Sequence, residues 1–383
     1  MKRLFSTIIS LTLLSGILFS SYTTVSATEG IQISAKSAIL IEALTGKVIF
    51  EKNSNQIMPM ASTTKIMTTL LSLESGDLDE YFTVDPNAIK VEGSSMGLVE
   101  GDQVTKRVLC YGMMLPSGND AANATAVKIA GSLENFAVLM NERAKKIGMS
   151  NTHFVTPSGL DDYTDLHYST SYDMALLARE ALKNPIFQQI CSTKNARLEF
   201  GNPPYVRWLA NSNKLLSSCK GAIGVKTGFT DKARRCLVSA CERDGIKLIC
   251  VTLNDPNDWL DHTNLYNYGF SQVTRREVPI DNLNIMVNVV GGEKNVAFCK
   301  QIEPAKLPLY PEDLKKVEKK VIIPQFAYAP LKKGDVIGHS DYVLNGEIIQ
   351  SIPILLDEDI NELPEKPKSR LDSFIDNIFN RLK

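Results

Sequence analysis

The stretch CLVSACERDGIKLICVTL, residues 236–253, restricts the fold more than any other part of the chain. Two apolar runs flank Asp244-Gly245, a dipeptide suited to a two-residue hairpin loop whose central residues take positive φ. With that loop, Ser239 lies opposite Cys250 and Cys241 opposite Leu248, so the simplest register does not pair Cys241 with Cys250. Residues 37–52 read as a second hairpin around a Thr-Gly turn, and AIGVKTGFT (222–230) as a strand running into a polar turn. Helical patterns lie between these strands. One starts near Pro59. Another covers 121–147, broken near Gly131. A third covers 171–183, with Ser171 as its cap. Helices inserted between strands of an antiparallel sheet give an α+β domain up to about residue 272.

Beyond 272 the character changes. Residues 277–356 carry short β-like runs such as NIMVNVV, KKVIIPQF and DVIGHSDYVLNGEIIQSIPIL, rich in turn residues. They predict a small β domain over 273–356. DEDINELPEKPK then reads as a charged linker. In the tail, Leu371, Phe374, Ile375, Ile378, Phe379 and Leu382 form one helical apolar stripe. From 365 onward, basic Lys366, Lys368, Arg370, Arg381 and Lys383 outweigh acidic Glu365, Asp372 and Asp376. Residues 357–383 therefore read as a linker and an amphipathic helix suited to a membrane interface, the alternative being a helix docked on its own protein. At the other end, Lys2 and Arg3 precede an apolar run from Leu4 to Phe19, and Val25 and Ala27 fit a cleavage site. Residues 1–27 read as a secretory signal peptide, with an uncleaved anchor as the alternative. The expected domain 28–272 would then work outside the cytoplasmic membrane.

The 383 residues are 44% hydrophobic with net charge −1 and four histidines, an ordinary globular balance that gives nucleic acid no reason to bind. Seven cysteines, an odd number without a CxxC, read mainly as small buried apolar residues. No ligand spacing suggests a metal, and no cofactor is expected.

Within MPMASTTKIMTTL (58–70), Ser62 and Lys65 are three residues apart, hence on one helix face. A serine hydroxyl needs a base to become a nucleophile, and a neutral lysine can serve. Lysine titrates near 10.4, so desolvation or a neighbouring cation must lower that value. At a helix N-terminus the Ser62 N–H is also free to face an oxyanion. The plain alternative is a capping serine, and SSCK at 217–220 is a second chance match without a role. Two further elements change the balance. LPSGNDAAN (115–123) sets Ser117 and Asn119 in a polar break. Ser117 suits proton relay, and the Asn119 amide suits holding a carbonyl or fixing Lys65. GVKTGFT (224–230) puts Lys226, Thr227 and Gly228 at a strand end. They offer a charge, a hydroxyl and room for close backbone approach. Taken singly, these are a turn with a helix cap and an edge lysine with a turn glycine.

In this order the three elements match the S-x-x-K, S-x-N, K-T-G signature of penicillin-binding proteins and serine β-lactamases. ASTTKIMT, LPSGNDAANA, THFVTPSGLDDYTDLHYSTSYDMALLAR and KTGFTDKARRCLVSA resemble the D-alanyl-D-alanine carboxypeptidases, low-molecular-mass penicillin-binding proteins of peptidase family S11. The resemblance covers about 35–272. It implies a transpeptidase-type domain followed by a small all-β domain and a C-terminal amphipathic helix. It also implies that Ser62 is acylated by the penultimate D-alanine of a peptidoglycan stem peptide, or by a β-lactam. Lys65 would be the base, assisted by Ser117 and Asn119. The N–H groups of Ser62 and Phe229 would form the oxyanion hole, and Lys226 and Thr227 would bind the terminal carboxylate. The arginine some relatives use for that carboxylate has no assigned counterpart here; Arg234 and Arg235 are only neighbours in sequence. A serine β-lactamase is the nearest rival, but the expected E-x-x-L-N is replaced by NTHFVTPSGLDD. A non-catalytic wall-binding protein is the rival of another class, and it would not need both Ser62 and Lys65.

Overall fold

The hairpin over 236–253 forms in the register read from its turn. Ser239 pairs with Cys250 and Cys241 with Leu248, and Asp244 and Gly245 have φ of 50° and 73°. The computed structural model describes residues 31–161, 163–278, 285–310 and 313–364. The signal segment and the amphipathic tail lie outside the described residues.

The first domain contains strands β1 (Ser37–Glu42), β2 (Val48–Lys52), β3 (Phe82–Thr83), β4 (Gln103–Val104), β5 (Asn195–Gly201), β6 (Pro204–Ala210), β7 (Ala222–Thr230), β8 (Arg234–Arg243) and β9 (Ile246–Leu253). Its helices are α1 (Lys65–Glu74), α2 (Lys106–Met114), α3 (Asn119–Ala130), α4 (Leu133–Ile147), α5 (Ser171–Ala181), α6 (Pro185–Ser192), α7 (Leu215–Ser218) and α8 (Asp258–Gln272). Five strands build one antiparallel sheet in the order β2-β1-β9-β8-β7.

Alternation along β8 sorts its side chains between two helical layers. Cys236, Val238 and Ala240 join the large core beneath α1–α6. Ser239, on the opposite face, bonds to α8: its Oγ lies 2.6 Å from His262 Nδ1 and 2.5 Å from Tyr266 OH. Thr252 Oγ1 of β9 lies 2.9 Å from His262 Nε2. Burial pushes His262 down to about 3, so the ring is neutral and both nitrogens are satisfied.

The break near Gly131 is real. That residue has φ 78° and separates α3 from α4. The cap of α5 is Thr170 rather than Ser171. Thr170 has extended backbone and its hydroxyl accepts from Asp173 N, whereas Ser171 already has helical geometry. All seven cysteines are buried and free.

The second domain is all β. It comprises β10 (Thr274–Val278), β11 (Ile285–Val290), β12 (Val296–Gln301), β13 (Ala305–Leu309), β14 (Glu318–Ile322), β15 (Phe326–Tyr328), β16 (Val336–Leu344) and β17 (Glu347–Leu356). Its main sheet runs β14-β16-β17-β12-β11-β15, and β10 pairs with β13. The domain does not stop at 356. Ile360 bridges Leu331 and Glu362 bridges Gly292, so the first half of the supposed linker completes the domain. Ion pairs Lys47–Asp313 and Arg179–Glu347 join the two domains.

Candidate active site

Ser62 does not cap a helix. It lies in a 3₁₀ turn, Ala61–Thr64, that runs directly into α1, and the turn has no side-chain cap. The hydroxyl instead meets Lys65, whose Nζ lies 2.9 Å from Ser62 Oγ. Lys65 is fully buried. Burial holds its pKa well below the usual lysine value, Lys226 lowers it further by repulsion, and Asp120 opposes them.

Two other oxygens surround that amine. Asn119 Oδ1 lies at 2.7 Å and the Ser158 carbonyl at 2.6 Å. The amide cannot flip without loss, because its Nδ2 donates to Glu92 O at 2.6 Å. A neutral amine has two N–H donors and one lone pair. Asn119 Oδ1 and Ser158 O can only accept, so they take both hydrogens. The lone pair is left facing Ser62 Oγ, the one partner with a proton to give.

The Ser158 carbonyl is held in place from two sides. His167 Nδ1 accepts from Val155 N at 2.9 Å, and its Nε2 lies 2.8 Å from Thr64 Oγ1. Burial pushes this histidine down to about 3, so Nε2 carries the proton and donates to Thr64. Gly159 has φ 88°, and a Cβ there would sit 2.0 Å from Ala61 O. Only glycine lets this loop rest on the serine turn.

The third element is less terminal than expected. Lys226, Thr227 and Gly228 lie within β7, the sheet's edge strand, and pairing continues to Thr230. A Cβ at Gly228 would lie 3.1 Å from Met60 O and Thr63 N, so the close approach this glycine permits is that of the serine turn. Lys226 is fully buried, with Nζ 2.8 Å from Thr227 O, and desolvation lowers its pKa to about 7.

These parts border a cleft of about 380 Å³ lined by Ser62, Ser117, Ser212, Thr227, Gly228 and Phe229, with Arg235 and Trp259 at its side. Lys65, Asn119 and Lys226 stand behind its wall. Ser117 has φ 67° and faces the cleft, yet among the described residues its hydroxyl bonds to no side chain. A larger cavity of about 690 Å³ lies between the domains, bordered by Glu42, Arg179, Lys183 and Glu347. Among the described residues no serine, threonine or cysteine lines it, so the smaller cleft is the candidate site.

Sequence reasoning missed five of its parts. Ser212 Oγ lies 2.8 Å from Thr227 Oγ1. Arg235 donates to Asp258 Oδ1 at 2.6 Å and lies over the Trp259 ring at 5.5 Å. The Ser158 carbonyl is the fifth. NDW at 257–259 carried no signal for this, because only packing of α8 against β8 brings it to Arg235.

A serine–lysine pair at the start of a helix, a Ser/Asn element and a Lys-Thr-Gly edge strand define a serine acyl-transfer enzyme of the penicillin-binding fold. Comparison places the chain more narrowly. Residues 22–257 match the family model described as D-alanyl-D-alanine carboxypeptidase, and 287–362 match the penicillin-binding protein 5 C-terminal domain. The chain belongs to the D-alanyl-D-alanine carboxypeptidase family. It is 33% identical to D-alanyl-D-alanine carboxypeptidase DacF of Bacillus subtilis over 338 residues, 86% of each chain. It is 34% identical to DacC of Escherichia coli over 352 residues, 87% of this chain and 86% of that one. Among solved structures, the Streptomyces K15 DD-transpeptidase superposes with TM-score 0.60 at 34% identity, covering 63% of this chain and 98% of that one. The carboxypeptidase DacD of Francisella tularensis gives TM-score 0.61 at 27% identity, covering 87% and 95%.

Proposed function

We propose that Ser62 is the nucleophile with which this serine carboxypeptidase removes the terminal D-alanine from peptidoglycan stem peptides ending in D-Ala-D-Ala. Ser62 Oγ attacks the penultimate D-alanine carbonyl and passes its proton to Lys65 Nζ. The N–H groups of Ser62 and Phe229 take the oxyanion. The C–N bond breaks, and the proton reaches the leaving amine through Ser117. Water then cleaves the ester, restoring Ser62 and releasing the shortened peptide. Thr227 meets the terminal carboxylate, and Lys226 supplies positive charge from behind the strand. β-Lactams acylate the same serine.

The observation that carries this reading is the 2.9 Å contact from Lys65 Nζ to Ser62 Oγ, with two acceptor-only oxygens on the amine's other sides. It argues against a non-catalytic wall-binding protein, for which such a buried lysine is a cost without use. Against a β-lactamase stands the loop after α4, which gives Lys65 a backbone carbonyl, that of Ser158, rather than a glutamate. Asp161, a carboxylate of that loop, receives a hydrogen bond from Thr230 Oγ1. Penicillin should therefore leave slowly. Mass spectrometry after penicillin treatment should find one adduct, on Ser62. Ser62→Ala should lose both the adduct and D-alanine release while keeping its melting temperature; a labelled Ser62→Ala protein removes Ser62 from the mechanism.

The family's setting is the cell wall, in keeping with action outside the cytoplasm. The finer placement is that residues 1–27 export the chain and 366–383 hold it on the outer face of the membrane. No helix among the described residues is long and apolar enough to cross a bilayer.

A further inference from the structure

At the β15-β11-β12 end of the second domain's sheet the outer face carries large apolar side chains around one polar residue, Asn288, where a sheet face in water is ordinarily polar. Its inner face is the domain core, including Ile285, Val287, Val289, Ala297 and Cys299. The alternate residues point to solvent: Met286 and Phe298 are 50% and 53% exposed, Phe326 and Tyr328 47% and 67%. The register makes them one patch. Met286 pairs across with Phe298, and Val290 with Tyr328. Phe326 and Tyr328 meet edge to face at 5.6 Å. A contiguous exposed patch of this kind marks a surface that something covers.

The chain itself indicates what. Leu363 N donates to Gly291 O at 2.8 Å, and Glu362 bridges Gly292. The polypeptide thus leaves the domain at the turn that follows Val290, beside the patch. Leu371, the first residue of the tail's apolar stripe, is seven residues beyond Pro364, a reach of at most about 25 Å. A tail lying in a bilayer therefore keeps this corner of the domain within that distance of the lipid, and the open sheet face is the apolar surface beside its exit. One amphipathic segment is a marginal anchor, and two contacts together are secure.

We infer that the face of β15, β11 and β12 carrying Met286, Phe298, Phe326 and Tyr328 rests on the lipid surface as a second membrane contact beside the tail. The inference rests on the membrane reading of residues 366–383. It fixes an orientation: the all-β domain lies against the bilayer by this face.

The test uses the full mature chain and sedimentation with phosphatidylglycerol/phosphatidylcholine vesicles. The double variant Phe298→Glu/Tyr328→Glu alters exposed positions, so fluorescent-penicillin labelling should be unchanged and reports an intact fold. Its vesicle partition coefficient should fall at least about fivefold. An unchanged coefficient overturns the inference. A higher coefficient also overturns it, because it would mean that the face holds the tail back from the lipid. A companion full-length variant, Phe374→Glu/Phe379→Glu, tests the tail. Weaker binding in both variants supports both contacts. Loss only in the face variant keeps this surface and removes the tail as anchor; loss only in the tail variant does the reverse.

Discussion

In the mechanism proposed above, two buried lysines divide the chemistry: Lys65 must be neutral to take a proton, and Lys226 must be charged to attract a carboxylate. Their proximity serves both ends, since a charged Lys226 lowers the pKa of Lys65. Lys226→Ala should therefore move the acid limb of the acylation pH profile to higher pH and raise KM for the peptide about tenfold or more. A KM increase with an unmoved limb would show that the two lysines do not communicate. The stability effect has a definite sign. Lys226 titrates at about 7 when folded and near 10.4 when unfolded, so the unfolded chain holds the extra proton between those values. Stability from this group rises as pH climbs from about 7 to 10.4, and Lys226→Met should flatten that rise in denaturant titrations. At this scale the sequence was informative about residue types and silent about their supports. Ser62, Lys65, Ser117, Asn119 and Lys226 stood out by spacing. Ser158 did not, because its contribution is a carbonyl, which every residue has. Arg235 did not, because its partner Asp258 is 23 residues away and reaches it only through the fold.

Among the elements, the loop carrying Ser158 depends on one missing side chain. Gly159→Ala would force a Cβ against Ala61 O at a φ that costs of order 1–3 kcal/mol. Penicillin acylation should fall by about 10²-fold or more as the carbonyl leaves Lys65, with little change in the circular dichroism of the sheet; normal acylation would show that the carbonyl is dispensable. Elements were legible where local chemistry set them. Asp244-Gly245 set the register of β8 and β9, and Gly131 divided α3 from α4. α2 was not read, since KRVLCYGMM is too short to show a period; β5 was missed although NARLEFG alternates apolar and polar, and β6 although PYVRWLA is largely apolar. The cap of α5 was misplaced by one residue because serine ranks above threonine as a capping type, and only backbone geometry shows that Thr170 holds the position.

For the whole molecule, two buried histidines weaken the fold in acid, while Asp255, pushed up to about 6 by burial, offsets part of that loss below 6. His167 and His262 are pushed to about 3 by burial, while the unfolded chain binds their protons near 6.5. Between those values the unfolded state holds more protons, so stability falls as pH drops from 6.5 toward 3, by roughly 1.4 kcal/mol per pH unit for each ring. Thermal melts across that range should show the slope, and His262→Asn should reduce it. Deleting 366–383 should weaken membrane binding to what the sheet face alone supplies and leave peptidase activity intact; a truncated chain that sediments as fully as the intact one would move the anchor elsewhere. The division into a mixed domain and a β domain was legible from the change in periodicity near 272. Its end was not, because residues 357–363 join the domain by isolated backbone bridges and one core side chain, Ile360, set among charged neighbours.

The neutral imidazole between β8 and β9 acts as a gauge of stagger. Each strand offers one hydroxyl, Ser239 from one and Thr252 from the other, to opposite corners of a single ring. Sliding either strand by a residue would turn one hydroxyl to the far side of the sheet and strand a ring nitrogen in the dry interior. A slide of β8 would also carry it out of step with the neighbouring edge strand and its Lys-Thr-Gly, so a histidine remote from the cleft holds that strand's register.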